Sequence, residues 1–212
     1  MLHKLKAWSF NMSQDALRGC LSGERVVLEP LQEEHIPALS IAVSDGELWN
    51  LWYTSAPHPD EMKAYVEQAL ASEQRGEALA FAVRDRRSGE IVGCTRLMSW
   101  DQTHRRIEIG HTWYAKGAQR TGVNSECKLL LLTYAFETLD VIAVEFRTHW
   151  HNQRSREAIT RLGAKQDGVL RNHRILKDGT IRDTVVYSII ASEWPTVKQN
   201  LKFRMRQYQE HQ

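Results

Sequence analysis

Residues 25–31 read RVVLEPL, a short β-branched run stopped by Pro30, and this marks a first strand. The period then changes. Ile36, Leu39 and Val43 recur at helical spacing, so residues 32–43 are predicted to be a helix, with Pro37 early enough to be tolerated. Residues 45–59 carry Trp49, Trp52 and Tyr53 without a clear period and read as a loop or short helix. Pro59, Asp60 and Glu61 open a second helix to about Arg75, with acidic groups where the helix dipole favours them.

From residue 78 the period is two. Strands are predicted over 78–84, 90–100 and 105–114, and their short connections make them antiparallel neighbours. Residues 115–122 (AKGAQRTG) form a loop, and 123–139 a long apolar helix without Gly or Pro inside it. A strand over 141–148 is followed by a helix over 152–162 that Gly163 closes. Residues 164–176 and 180–190 form a hairpin about Asp178-Gly179, and a last helix begins near Ser192. The order β-α-α-β-β-β-α-β-α-β-β-α implies a mixed α/β sheet of about seven strands. The expected division is an extension over 1–20, one domain over 21–197, and a C-terminal helix or tail over 198–212.

Composition narrows the classes. A chain of 212 residues, 42% apolar and 25% charged, is an ordinary length and balance for one soluble domain. A net charge of +2 gives no strong field for a nucleic-acid or membrane partner, and no apolar run is long enough to span a bilayer. Residues 1–20 lack the apolar region and cleavage pattern of a signal peptide. Cys20, Cys94 and Cys127 lie far apart without metal-ligand spacing, so reduced thiols, no metal and a cytoplasmic location are expected.

The most legible chemistry is an anion site. A loop ending at a helix N-terminus leaves backbone N–H groups unpaired in a positive field. Residues 116–125 (KGAQRTGVNS) offer this, with Gly117 and Gly122 allowing close approach and Lys116 and Arg120 adding charge; a plain solvated helix start fits the segment as well. Neither GxxxxGK[ST] nor GxGxxG is present.

Three motifs in order carry a family resemblance: the loop Gln119-Arg120-Thr121-Gly122-Val123-Asn124, the segment from Asn152 through Ser155 to Gly163, and Asp167-Gly168-Val169-Leu170-Arg171. Together they resemble the GNAT (Gcn5-related N-acetyltransferase) superfamily, in the branch similar to ribosomal-protein N-terminal acetyltransferases; Asn124 departs from the small residue usual there. The resemblance implies a mostly antiparallel seven-stranded GNAT sheet, splayed between the strands at 105–114 and 141–148 and flanked by helices. It implies acetyl-CoA as cosubstrate. Gln119, Arg120, Thr121, Gly122, Val123, Asn124 and Ser125 would hold the pyrophosphate through their amides. Backbone at Thr112, Trp113 and Tyr114 would hold the pantetheine and polarise the thioester, with Asn152 bonding the arm.

Direct transfer to a primary amine needs a base and an acid for the leaving thiolate. Ser155 stands where relatives offer a hydroxyl to the sulfur, or it merely supports a helix cap. Glu108 is the base candidate, or a salt-bridge partner of Arg96 or Arg147. His111 faces away from Glu108 on a regular strand, and a bulge would reverse this. His149 and His151 are further candidates, and Cys127 reads as core. Acceptor recognition falls to Trp49, Trp52, Tyr53, His58, Arg171 and Tyr187, where Arg171 meets an acceptor carboxylate or pairs with Asp167 or Asp183. The leading acceptor is a protein or peptide N-terminal amine. A small-molecule amine and a non-catalytic CoA-binding module remain as alternatives, and relatives in this branch leave a homodimer open.

Overall fold

In the computed structural model, which describes residues 19–210, the chain runs β1 (Leu21–Ser22), β2 (Val26–Pro30), α1 (Ile36–Ser44), α2 (Met62–Gln74), β3 (Ala78–Asp85), β4 (Ile91–Asp101) and β5 (Arg106–Tyr114). It continues through α3 (Val123–Thr133), β6 (Ala143–His149), α4 (Gln153–Leu162), β7 (Lys165–Ile175), β8 (Ile181–Ile190) and α5 (Trp194–Glu210). The extension expected over 1–20 falls, up to residue 18, outside the described residues. The eighth strand is β1, two residues paired to β2, too short to leave a periodic signal. The helix expected over 123–139 is α-helical to Thr133 and then widens into a π turn over Tyr134–Thr138. Helix α5 passes residue 197 without a break, and Leu201 beyond it is in the core.

The sheet order is β1-β2-β3-β4-β5-β6-β8-β7, mixed and mostly antiparallel. Apolar residues on its two faces feed two cores. One face packs Ile107, Ile109, Val144, Phe146, Val185 and Ile189 against α3 and α5. The other packs Ala80, Ala82, Cys94 and Trp113 against Leu39 and Val43 of α1 and Met62 and Val66 of α2. Alternation along each strand assigns every polar side chain of the sheet to one of these faces.

The exception to antiparallel pairing decides the site. Strands β5 and β6 run parallel and pair only at Arg106–Ala143, Ile107–Val144 and Glu108–Glu145. Beyond Glu108 the two strands part, as the resemblance implied, and each keeps an unpaired edge. A separate tie joins α3 to the far side of the sheet. The buried carboxylate of Glu126, in the first turn of α3, accepts the N–H groups of Glu24, Arg25 and Val26 at 2.9, 2.8 and 2.7 Å. The start of α3 is thereby fastened to the first long strand.

Candidate active site

The parting strands are shaped by a β-bulge. Cys94 pairs with Trp113 and Arg96 with Gly110, so two residues of β5, His111 and Thr112, face Thr95 alone. His111 takes φ +47°, in the left-handed region. The extra residue shifts the alternation, and Trp113 joins the core of α1 and α2, the side to which Glu108 also turns. His111 lies on that side too, its ring 6.3 Å from Tyr65 of α2. The bulge therefore unites Glu108 and His111, which a regular strand would separate. Thr112 turns the other way, where its Oγ1 meets Thr95 Oγ1 at 2.7 Å and accepts from Lys128 Nζ at 2.8 Å.

Glu108 is buried, and burial raises its pKa against the pull of Arg147, whose Nε is 3.6 Å away. A Cβ built on Gly110 would stand 3.2 Å from Glu108 Oε1, so the carboxylate lies over the backbone that enters the bulge. Its cross-strand neighbour Glu145 behaves oppositely. Burial would raise Glu145 as well, but hydrogen bonds from Arg106 and Arg147 hold it below its ordinary value. Two carboxylates side by side with pKa values pushed apart suit one to act as a proton acceptor and the other to remain a fixed anion. His111 is pushed down to about 4 by burial, then by Arg96, Arg174 and Arg182, so it is neutral at pH 7. Its buried Nδ1 has no partner among the described residues.

At the far end of β5 the expected anion loop takes form. A 3-10 turn over Lys116–Ala118 is pinned where Gly117 N–H donates to Asp45 Oδ2 at 2.7 Å. Gln119 Nε2 donates to Tyr114 O at 3.1 Å and Thr121 Oγ1 to Ala118 O at 2.6 Å, so both side chains are spent on the loop itself. Arg120 and Gly122 take φ +62° and +93°. Among the described residues no partner accepts from the amides of Arg120, Thr121, Gly122, Val123, Asn124 or Ser125. The Val123 side chain is fully buried, and those of Trp113 and Tyr114 nearly so, leaving main chain as all these three can offer a ligand.

Asn152 caps α4, its Oδ1 accepting Ser155 N–H at 3.1 Å. The cap uses the amide of Ser155 and the carboxamide of Asn152. The Ser155 hydroxyl takes no part in it.

The aromatic loop and the end of β6 form one cluster. Trp52, half exposed, sets its ring 4.8 Å from His149 and 5.6 Å from His151, and Tyr53 is 6.3 Å from His149. His149 is buried, and its Nε2 has no partner among the described residues. Trp49 stands apart and meets His58 at 5.2 Å. Arg171 is exposed and pairs with neither aspartate: Asp167 accepts from Ser188 Oγ and Asp183 from the Asn172 amide. Tyr187 does not join the acceptor group. It lies opposite Phe146 on the face of α3 and α5, buried, with its hydroxyl accepting from Arg156 Nε at 3.2 Å. Tyr187 sits one residue out of phase with Thr184, Val186 and Ser188, which turn to the site's face.

Several contributors escaped the sequence reading. Glu145 is placed beside Glu108 by register alone. Lys128 was not singled out in the sequence; it falls on the same helical stripe as Leu131 and Leu132 and is buried. Burial depresses its pKa to about 8. Among the described residues no group of acidic, cysteine or histidine side chains could hold a metal ion, and no helix is long and apolar enough to cross a membrane.

Residues 25–165 match the acetyltransferase (GNAT) domain family. A Bacillus subtilis protein, YdaF, provisionally named a ribosomal N-acetyltransferase, is 28% identical over 170 residues, 79% of this chain and 91% of its own. A GCN5-related N-acetyltransferase from Brucella melitensis superposes with a TM-score of 0.81 at 31% identity, over 89% of this chain and 86% of that one. A provisionally assigned acetyltransferase from T. thermophilus gives 0.77 at 34% identity, over 87% and 96%.

Proposed function

Because the chain belongs to the GNAT acetyltransferase family, we propose that it transfers acetyl from acetyl-CoA directly to a primary amine, and that the acceptor is the N-terminal amine of a protein or peptide. The observation that carries this reading is the row of unpartnered amides at residues 120–125, reached along the unpaired edge of β5 from the bulge. Bound acetyl-CoA supplies the acyl thioester. The amide row and the positive end of α3 hold its pyrophosphate, with Gly122 giving the backbone room. The free edge of β5 at Thr112, Trp113 and Tyr114 pairs with the pantetheine arm, and the Asn152 carboxamide keeps two N–H donors for it. Backbone N–H at the bulge polarises the thioester carbonyl.

In the transfer, the N–C bond forms as the C–S bond breaks. Glu108 accepts the ammonium proton, directly or through one water, and its raised pKa makes it a better base than an ordinary carboxylate. The Ser155 hydroxyl donates a proton to the departing sulfur and regains one from the nitrogen as the amide forms, so the second nitrogen proton leaves on the thiol. Trp52, Tyr53 and His149 frame the acceptor side. Arg147, Arg174 and Arg182 make that side cationic, which lowers the acceptor's own ammonium pKa and disfavours polyamines. YdaF's name supports a ribosomal-protein acceptor class.

The test is an acceptor panel of short peptides with free N-termini, free amino acids and polyamines, read by thiol release from acetyl-CoA. Turnover with peptides in preference to polyamines is expected. Saturable CoA binding without thiol release from any amine would replace this reading with that of a binding module.

A further inference from the structure

Two arginines of the last hairpin stand directly opposite each other. Arg174 of β7 pairs in register with Arg182 of β8. Like charges in that position repel and destabilise a hairpin. Neither lies within 4 Å of a carboxylate among the described residues, although Glu29, Glu145 and Glu193 elsewhere in the fold all have basic partners. Arg182 is held in place, its Nε donating to Thr184 Oγ1 at 3.0 Å. By alternation Arg182 and Thr184 share the face of Glu145, Arg147 and His149, across β6 from Glu108. Both arginines are close enough to act on Glu108 and His111. A second feature on the same face points to a ligand: His149, opposite Thr184, is 3% exposed and its buried Nε2 has no partner among the described residues.

We propose that Arg174 and Arg182 form a carboxylate-binding site beside the reacting centre, so that the preferred acceptor carries an anionic carboxylate close to its amine. This deepens the acetyl-transfer reading and rests on it. A guanidinium pair matches a carboxylate in geometry and charge, and occupancy would relieve the repulsion between the two. The carboxylate has two sources: an acidic side chain just after a peptide's N-terminus, or the α-carboxylate of a free amino acid.

Matched acceptors separate them. One series compares peptides with Asp or Glu at the second position against Asn, Gln and Lys. The other compares free amino acids with their amides. In the series that holds the true source, loss of the carboxylate should lower kcat/KM at least tenfold, chiefly through KM. Arg182→Gln and Arg174→Gln should erase that preference while retaining wild-type thermal midpoints. Arg182→Glu should turn it toward Lys-bearing peptides. Equal kcat/KM for charged and neutral members of both series overturns the proposal and leaves acetyl transfer standing. If no amine is acetylated, the transfer reading falls and the site is judged by calorimetric titration with N-acetyl-aspartate. Saturable binding lost in Arg182→Gln upholds the carboxylate site, and its absence in the wild type overturns it.

Discussion

Glu108 answers to two opposed influences, burial that favours its neutral form and Arg147 that favours its charge. Burial prevails, so its pKa is raised, and as the proposed base it should set an acid limb on activity. Glu108→Gln should lower kcat by about 10²-fold, the low end for a general base, and should abolish that limb in a kcat against pH profile. The thermal midpoint should not fall, since the variant no longer buries a charge. Ser155 gives the complementary case. With Asn152 holding the cap, Ser155→Ala should reduce kcat and kcat/KM together, by about 10²-fold, and leave the unfolding midpoint unmoved. Unchanged turnover in that variant would remove Ser155 from the chemistry. Ser155 could be singled out in the sequence because it sits in a local motif, and Glu108 because of the strand it lies on. The partnerships could not: Glu145 is 37 positions from Glu108, and only the parallel register joins them.

At the scale of elements, the loop before α3 was legible because it is continuous in sequence and its glycines have a conformational purpose. Gly122 sits at φ +93°, a region that a branched side chain enters only under strain. Gly122→Val should therefore weaken CoA binding more than tenfold by calorimetry while the far-ultraviolet spectrum stays native. The bulge in β5 was open in the sequence reading only as what would reverse the facing of His111; its position emerges from the pairing of β4 with β5. The bulge rests on Lys128, whose depressed pKa has a measurable sign. The folded protein binds fewer protons there than the unfolded chain between pH 8 and 10.5, so this group's penalty is full below about 8 and vanishes above 10.5. Stability of the wild type relative to Lys128→Met should rise across that window, by on the order of 3 kcal/mol. Denaturant midpoints of the two proteins at pH 7.5 and 10.5 check this, the comparison cancelling titrations common to both. A flat difference would mean that the Lys128 pKa is not depressed by folding.

For the whole molecule, the order of strands and helices could be read almost completely, because each element has its own period and its own stop. What joins distant elements could not. Glu126 carried no signal in the sequence reading, yet it serves as acceptor for three amides at the entry to β2, about 100 residues earlier. The clamp and the register of β5 with β6 are both products of folding rather than of any local run.

The short pairing between β5 and β6 also sets a clock. Three residue pairs join the sheet's two halves, and past Glu108 the amides along the inner edges of β5 and β6 have no opposite strand to shield them. Deuterium should enter residues 109–113 and 146–148 faster than the central β3–β4 ladder in the free protein. Adding CoA should slow exchange on β5 far more than in β7 or α5, because the pantetheine arm would stand there as a temporary ninth strand. Uniform slowing across all elements would instead report only the global stabilisation that any tight ligand confers. The sheet would then be complete only between turnovers' first and last steps, opened and rebuilt once for every molecule of cosubstrate that passes through.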